Sequence, residues 1–360
     1  MKSNYFTERD ERNIEKTRAI MDELPGFASE FFVGIAARTS PLTRLNYAYD
    51  LRIFFDYISK KIFRGRITPQ EITLRDLETL QAYDIEMYME YLTSYTFRDK
   101  KFKCGASAKE RKICSLRSFF KYYFKKDKLS SNITAKVDLP KVHEKPIIKL
   151  EIDEIVKLLD RVESGSMPSK RQNDYLKVTK TRDLALLTLF LGTGIRISEC
   201  VGLNRADLDF SANAFTVTRK GGDKSILYFS EEVAKALRDY IGWLDLQMAE
   251  QTDFGRKIRH SPDAVALFFS LQGNRISVHA VQNLVKKYAS LAAPLKKITP
   301  HKLRSTYGTA LYRETQDIYI VADVLGHKDV NTTKRHYADM SDEIRRAAAK
   351  AVKLRENDEH

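Results

Sequence analysis

Cysteine is scarce in this 360-residue chain, and the three present (Cys104, Cys114, Cys200) are odd in number and show no C-x-x-C spacing. A disulfide framework or a zinc site is therefore not expected, and free thiols suit a reducing compartment. The sequence has no run of 18 or more apolar residues, so no membrane-spanning helix is read from it. The first residues, Met1-Lys-Ser-Asn-Tyr-Phe-Thr-Glu, lack an apolar signal region, and a cytoplasmic location is expected. Internal repeats and low-complexity tracts are absent, which sets aside solenoids and arrays.

Acidic residues are in deficit. Lys+Arg number 62 against 48 Asp+Glu, a formal charge of +14, with a pI near 9.4. A basic excess of this size favours a polyanion as partner, although a basic soluble enzyme of another kind would carry the same charge. The length is too great for one small core and suits two domains.

The most informative stretch is Thr299 to Met340. Thr299-Pro300 is a helix-start signal, a capping hydroxyl followed by proline at the first helical position. It places His301 and Arg304, three apart and on one face, in the first turns of a helix running to about Glu314. Helix N-termini favour bound anions. Gly326 reads as the stop of a second helix over about 317–325, with His327 just beyond it and Tyr337 ten positions on. Arginine matches phosphate oxygens with a fork of donors. Histidine can donate a hydrogen bond or move a proton near neutrality. A tyrosine hydroxyl titrates near ~10 and needs a base or cationic surroundings to act as a nucleophile. No carboxylates stand at metal-ligand spacing here, so the anion site would be built from protein groups alone.

Singly, each residue has a plainer explanation: His327 a surface cap, Arg196 a salt-bridge partner of Glu199 or Asp207, Lys220 a solvated turn residue. Together, H-K-L-R at 301–304, L-G-H at 325–327 and the tyrosine at 337 resemble the C-terminal signature of the tyrosine site-specific recombinases, the phage integrase family. That signature implies an upstream arginine in a T-G-x-R-x-S-E context, present as Thr193-Gly-Ile-Arg196-Ile-Ser-Glu199, and a lysine in a following hairpin, present in Thr218-Arg-Lys220-Gly-Gly-Asp-Lys224. Lys224 is the local competitor for that role. Ser305 departs from the pattern, since many members carry histidine after the arginine.

The resemblance implies a mechanism. Arg196, Arg304 and His327 would hold the scissile phosphate, with Glu199 in support. Tyr337 would attack the phosphorus and leave a 3′-phosphotyrosyl link. Lys220 would protonate the departing 5′ oxygen, and His301 would act as general base. Phosphoester replaces phosphoester, so neither metal nor ATP nor any other cofactor is expected. The implied partner is double-stranded DNA with an inverted-repeat core site. The implied assembly is a homotetramer on synapsed DNA, monomeric or weakly dimeric when free, with an accessory protein as a further candidate partner. Length and the V-T-R-K-G-G and I-T-P-H-K-L-R runs are similar to the single-protein Xer branch of the XerS-like type, associated with the nucleoid and with chromosome dimer resolution. An integrase of a mobile element shares every catalytic residue. A type IB topoisomerase and a catalytically idle DNA-binding protein stay as alternatives.

The expected fold is mainly α with a small β-sheet, a two-domain DNA clamp. Residues 1–137 would form a helical core-binding domain, 138–149 a proline-bearing linker in which His143 is solvent-exposed, 150–340 a mixed α/β catalytic domain, and 341–360 a helical tail docking on a neighbouring protomer. Within the first domain, helices are read at about 7–24, 27–37, 44–60, 80–95 and 108–125, with Tyr83, Tyr88 and Tyr91 inward. The last helix turns Ile113, Leu116, Phe119, Phe120 and Tyr123 inward and offers Lys109, Arg111, Lys112, Arg117 and Lys121 to DNA phosphates, the alternative being a solvated face. In the second domain, strands are read around 215–218, 225–229 and 267–270, and helices at about 231–251 and 278–291.

Overall fold

The computed structural model describes residues 5–141, 147–165, 170–219, 222–327, 329–330 and 333. The linker residue His143, the hairpin residue Lys220, the tyrosine Tyr337 and the 341–360 tail lie outside the described residues. The chain divides into two compact units, Met1–Lys145 and Pro146–His360.

The first unit is helical apart from one hairpin. Its elements are α1 (Tyr5–Met21), α2 (Ala28–Gly34), α3 (Pro41–Tyr57), α4 (Leu74–Glu78), α5 (Ala82–Tyr91), β1 (Tyr95–Phe97), β2 (Lys100–Phe102) and α6 (Ala106–Phe124). Proline at the first position and the Ser40 hydroxyl, which accepts from Thr43 N–H, start α3 three residues before the 44 read from the sequence. The apolar stripe of α6 is wholly buried, with Ile113, Leu116, Phe119, Phe120 and Tyr123 among Phe31, Phe54 and Phe55. Edge-to-face pairs such as Phe31–Phe119, with centroids 5.1 Å apart, fill this core. Each such side chain contributes about 1.5–3 kcal/mol by leaving water.

Three details differ from the sequence reading. Tyr83 is 64% exposed, on the side of α5 opposite the buried Ile85 and Tyr88. The β1–β2 hairpin was not read from the sequence. Its two-residue loop is Arg98-Asp99, both at positive φ. A loop with both central residues left-handed ordinarily carries Asn-Gly or Asp-Gly, and neither signal is present. The α6 helix also starts earlier than the 108 read from the sequence, with Gly105 as the capping residue.

The second unit comprises α7 (Ile152–Ser164), α8 (Lys170–Thr193), α9 (Ile197–Gly202), β3 (Leu208–Asp209), β4 (Ala214–Thr218), β5 (Lys224–Tyr228), α10 (Glu231–Ala249), α11 (Asp253–Arg259), α12 (Val278–Ala292), α13 (Pro300–Thr315) and α14 (Ile318–Leu325). The apolar run of α8 (Ala185, Leu186, Leu187, Leu189, Phe190) is buried, and α7, α10 and α13 pack against that helix. The three strands form an antiparallel sheet in the order β3-β4-β5, with Thr218 opposite Lys224 at the hairpin end. Residues 267–270, expected as a strand, make one isolated bridge, Phe269 with Arg275, next to that of Ala266 with Asn204, and Leu267, Phe268 and Phe269 are buried. The overall class is mainly α with small antiparallel sheets. Among the described residues no helix is long and apolar enough to cross a membrane.

Candidate active site

The site is built from three helix ends and one hairpin. The first is the turn from α8 into α9. Thr193 donates its hydroxyl to Leu189 O at 2.6 Å, and Ile195 N–H donates to that hydroxyl at 3.3 Å. Gly194 follows in the left-handed region at φ 60°. A Cβ there would lie 2.5 Å from the Tyr307 ring and 2.9 Å from Leu325, so both backbone angle and space require glycine. Arg196 then caps α9, its N–H donating to Glu199 Oε2 at 3.0 Å.

The second end is the start of α13. Thr299 accepts from Lys302 N–H and Pro300 takes the first helical position, as the sequence predicts. His301 is exposed in the first turn, and Arg304, three residues on, is buried at 3% exposure. Ser305 is also buried and turns its hydroxyl back to His301 O, so the departure from the family pattern is absorbed within the helix.

The third end is the finish of α14. Asp317 caps the start by accepting from Tyr319 and Ile320 N–H, and Gly326 closes the helix in the left-handed region. Three guanidinium groups meet the last carbonyls in succession. Arg219 donates to Val324 O at 3.3 Å, Arg304 donates to Leu325 O, and Arg196 donates to Gly326 O at 2.7 Å. Arg304 also donates to Gly194 O, tying α13 to the α8–α9 turn. A helix C-terminus carries partial negative charge and unpartnered carbonyls, and here cations supply both the donors and the countercharge. Beneath them lies Glu199, buried, accepting from Arg196 at 2.9 Å and from Arg219 at 3.3 Å on each oxygen. The sequence therefore left a false choice at Arg196: the ion pair with Glu199 is present and also holds the arginine in the cluster.

His327 follows directly. Its backbone N–H donates to Ala322 O, and its Nδ1 lies 2.7 Å from the Thr333 hydroxyl. If Thr333 donates to Nδ1, the ring proton sits on Nε2, the tautomer able to donate to an oxyanion. Arg196, Arg304, Glu199 and His327 are thus gathered at one place, although the first and last are separated by more than a hundred positions. The placements of Lys220 and Tyr337 lie outside the described residues.

Sequence reasoning missed Arg219 and Thr333. For Arg219 a weak signal existed, since it directly precedes the lysine that the family signature selects. Burial pushes up the pKa of the hydroxyl of Tyr307, whose ring lies against Gly194, and keeps it protonated near neutrality. The Cys200 thiol is fully buried, and that burial, with Glu199 beside it, pushes its pKa up and leaves it inert.

In the first unit the basic set of α6 is only partly available. Lys112 is a correction: it is buried and its ammonium lies 3.0 Å from Asp50, where a DNA-facing lysine was expected. Arg111 also grips Asp50, though its side chain is half exposed. Arg117 donates to the carbonyls of Thr134 and Val137, and Lys109 donates to the Thr93 hydroxyl at 2.7 Å. Lys121 is exposed.

Comparisons with known proteins bear on the family and the fold. The profile of the Phage integrase family matches residues 149–343. The chain is 32% identical over 335 residues to the tyrosine recombinase XerC of Caldanaerobacter subterraneus, covering 89% of this chain and 84% of the relative. Its fold is similar to that of the XerH site-specific recombinase bound to palindromic difH substrate in a post-cleavage complex, with a TM-score of 0.63, 18% identity, and 86% and 80% of the two chains covered. It is also similar in fold to the Tn1549 transposon integrase in complex with circular intermediate DNA, with a TM-score of 0.60, 18% identity, and 89% and 97% covered.

Proposed function

The chain belongs to the phage integrase family of tyrosine recombinases, and we propose that it cuts and rejoins specific DNA sites through a 3′-phosphotyrosyl intermediate. The observation that carries the residue assignments is the convergence of Arg196, Arg304 and His327 at the end of α14. Two forked cations and an imidazole donor at one point suit a phosphodiester, whose equatorial oxygens gain charge as the phosphorus is attacked. In this reading Tyr337 Oη forms the bond to phosphorus and the bond to the 5′ oxygen breaks. Lys220 gives that oxygen its proton, and His301 takes the phenol proton. The reverse step, from the 5′-hydroxyl of a second strand, completes exchange. Glu199 holds Arg196 in position.

The biological reading we favour is Xer-like resolution of chromosome dimers, supported by the XerC relatives matched over most of their length. Double-stranded DNA is the partner, bound by 1–137 and 150–340 joined through 138–149, with a homotetramer on synapsed sites linked by 341–360. Integration of a mobile element uses the same chemistry, and the genomic position of the bound site separates the two.

Covalent capture tests the reading. The full chain is incubated with nicked duplexes carrying randomised inverted repeats, and denaturant-resistant adducts are sequenced. An adduct on the 3′-phosphate at the cleaved position, to the 5′ side of the nick, is expected, with loss of the short fragment between them; it is absent in Tyr337→Phe. An adduct that persists in Tyr337→Phe reassigns the nucleophile, and none from the unaltered chain removes the recombinase reading.

A further inference from the structure

The β4–β5 hairpin needs an anchor. One face of its outer strand is exposed, with Ile226 at 59% and Tyr228 at 69%, while Leu227, and Val217 of β4, are buried on the other, so the strands are held by that face and it is the turn that lacks an anchor. Its turn is closed by its own backbone, Arg219 N–H to Asp223 O at 2.7 Å and Gly222 N–H to Arg219 O at 3.0 Å. These bonds shape the turn but do not fix it to the rest of the unit. Among the described residues from 216 to 225, the side chain that hydrogen-bonds to another element is that of Arg219. It is mostly buried, donates to both oxygens of Glu199 and to Val324 O, and also reaches the Ser225 hydroxyl at 3.5 Å on its own hairpin. Gly326 leaves the room for it: a Cβ at 326 would stand 2.8 Å from the Arg219 guanidinium carbon.

We propose that Arg219 is a positioning residue for the acid step, fastening the lysine-bearing turn to the Glu199–α14 floor on which Arg196 and Arg304 stand. The inference rests on the recombinase reading above and extends it to a residue outside the family signature. Lys220 follows Arg219 directly in the chain, so fixing the Arg219 backbone fixes the point from which Lys220 starts. A lysine ammonium on a flexible stem loses much of its catalytic value if its root wanders, because general-acid assistance contributes about 10²–10⁴-fold only when the donor is in place. Arg219 itself transfers no proton.

The leaving group provides the test. In cleavage of ordinary DNA, the P–O5′ bond breaks and O5′ receives a proton from the ammonium. With sulfur replacing O5′ at the scissile position, the P–S bond breaks and the thiolate departs unprotonated, since a thiol ionises near ~8.5. The probes are the duplex captured by the unaltered chain, made with oxygen or with sulfur at that position. Rates are measured in a single turnover at saturating full-length protein, with folding checked by circular dichroism. Arg219→Ala is expected to cleave the oxygen substrate about 100-fold more slowly, to bind it within about threefold of the unaltered chain, and to recover most of its rate on the sulfur substrate. Lys220→Ala sets the benchmark for that recovery, and combining the two substitutions adds little to the loss. If Arg219→Ala does not fold, Arg219→Lys, which keeps the charge but not the fork, is read in the same way. Equal loss on both substrates overturns the proposal and places Arg219 at the phosphate or at α14; no loss on either overturns it outright. Failure of the unaltered chain to capture any duplex sinks the recombinase reading, which is a separate result.

Discussion

Two basic regions of this molecule use their cations in opposite ways. On α6, part of what looks like a DNA-facing stripe is taken up by the protein itself, Lys112 being buried while Lys121 stays exposed. Asp50, 1% exposed, accepts from Arg111, Lys112 and the Ser115 hydroxyl, and Arg117 is occupied with two carbonyls. At the end of α14, arginines that look like ordinary salt-bridge partners are gathered around one point and held there by carbonyls and Glu199. The number of cations on a helix is therefore a poor guide to how many can meet a phosphate. What differs is the grouping: the cations of α6 are spread among Asp50, two carbonyls and solvent, whereas Arg196, Arg219 and Arg304 meet at one helix end.

The contrast is most severely tested at Asp50. Asp50→Ala strands Lys112 without its carboxylate, and a loss of about 3–5 kcal/mol in urea unfolding is expected. A loss below about 1 kcal/mol would mean that the cluster is dispensable and would return Lys112 to the candidates for DNA contact. Arg304→Lys follows. A single ammonium cannot reach both Gly194 O and Leu325 O, and a 10²–10³-fold drop in cleavage rate, about 2.7–4 kcal/mol, is expected with site binding little changed. Gly194→Ala should destabilise by about 1–3 kcal/mol, through its left-handed backbone and the approach of the Tyr307 ring; thermal unfolding measures it. The smallest effect belongs to α6. Lys121→Ala should weaken DNA binding at every sequence and reduce the slope of log affinity against log salt by about one. Lys112→Met should leave that slope unchanged, and equal slope changes in the two variants would erase the distinction drawn here.

Legibility in the sequence follows the same division. The Thr299-Pro300 start of α13 and the Gly326 stop of α14 were readable because capping is local, decided by a hydroxyl, a ring or a missing Cβ within a few positions. The spacing of Arg196, Arg304 and His327 was readable only through resemblance, since no local rule brings position 196 to position 326. Arg219 was missed because its partners, Glu199 and Val324, lie 20 and 105 positions away. The inward turn of Lys112 was missed for a related reason: helical periodicity places it beside Arg111 and Ser115 but does not show Asp50 of α3 waiting opposite. The Arg98-Asp99 turn lacked the residues that usually announce a hairpin, so tertiary context decided it.

The three arginines that close α14 have their rotamers fixed before any nucleic acid arrives. Their loss of side-chain freedom, up to about 2 kcal/mol for each long cationic chain, is incurred when the domain folds. An incoming strand then meets donors already standing in place, and less of its binding energy goes into arranging them. Heat or denaturant that loosens this one helix end should accordingly silence cleavage while most of the molecule still keeps its shape.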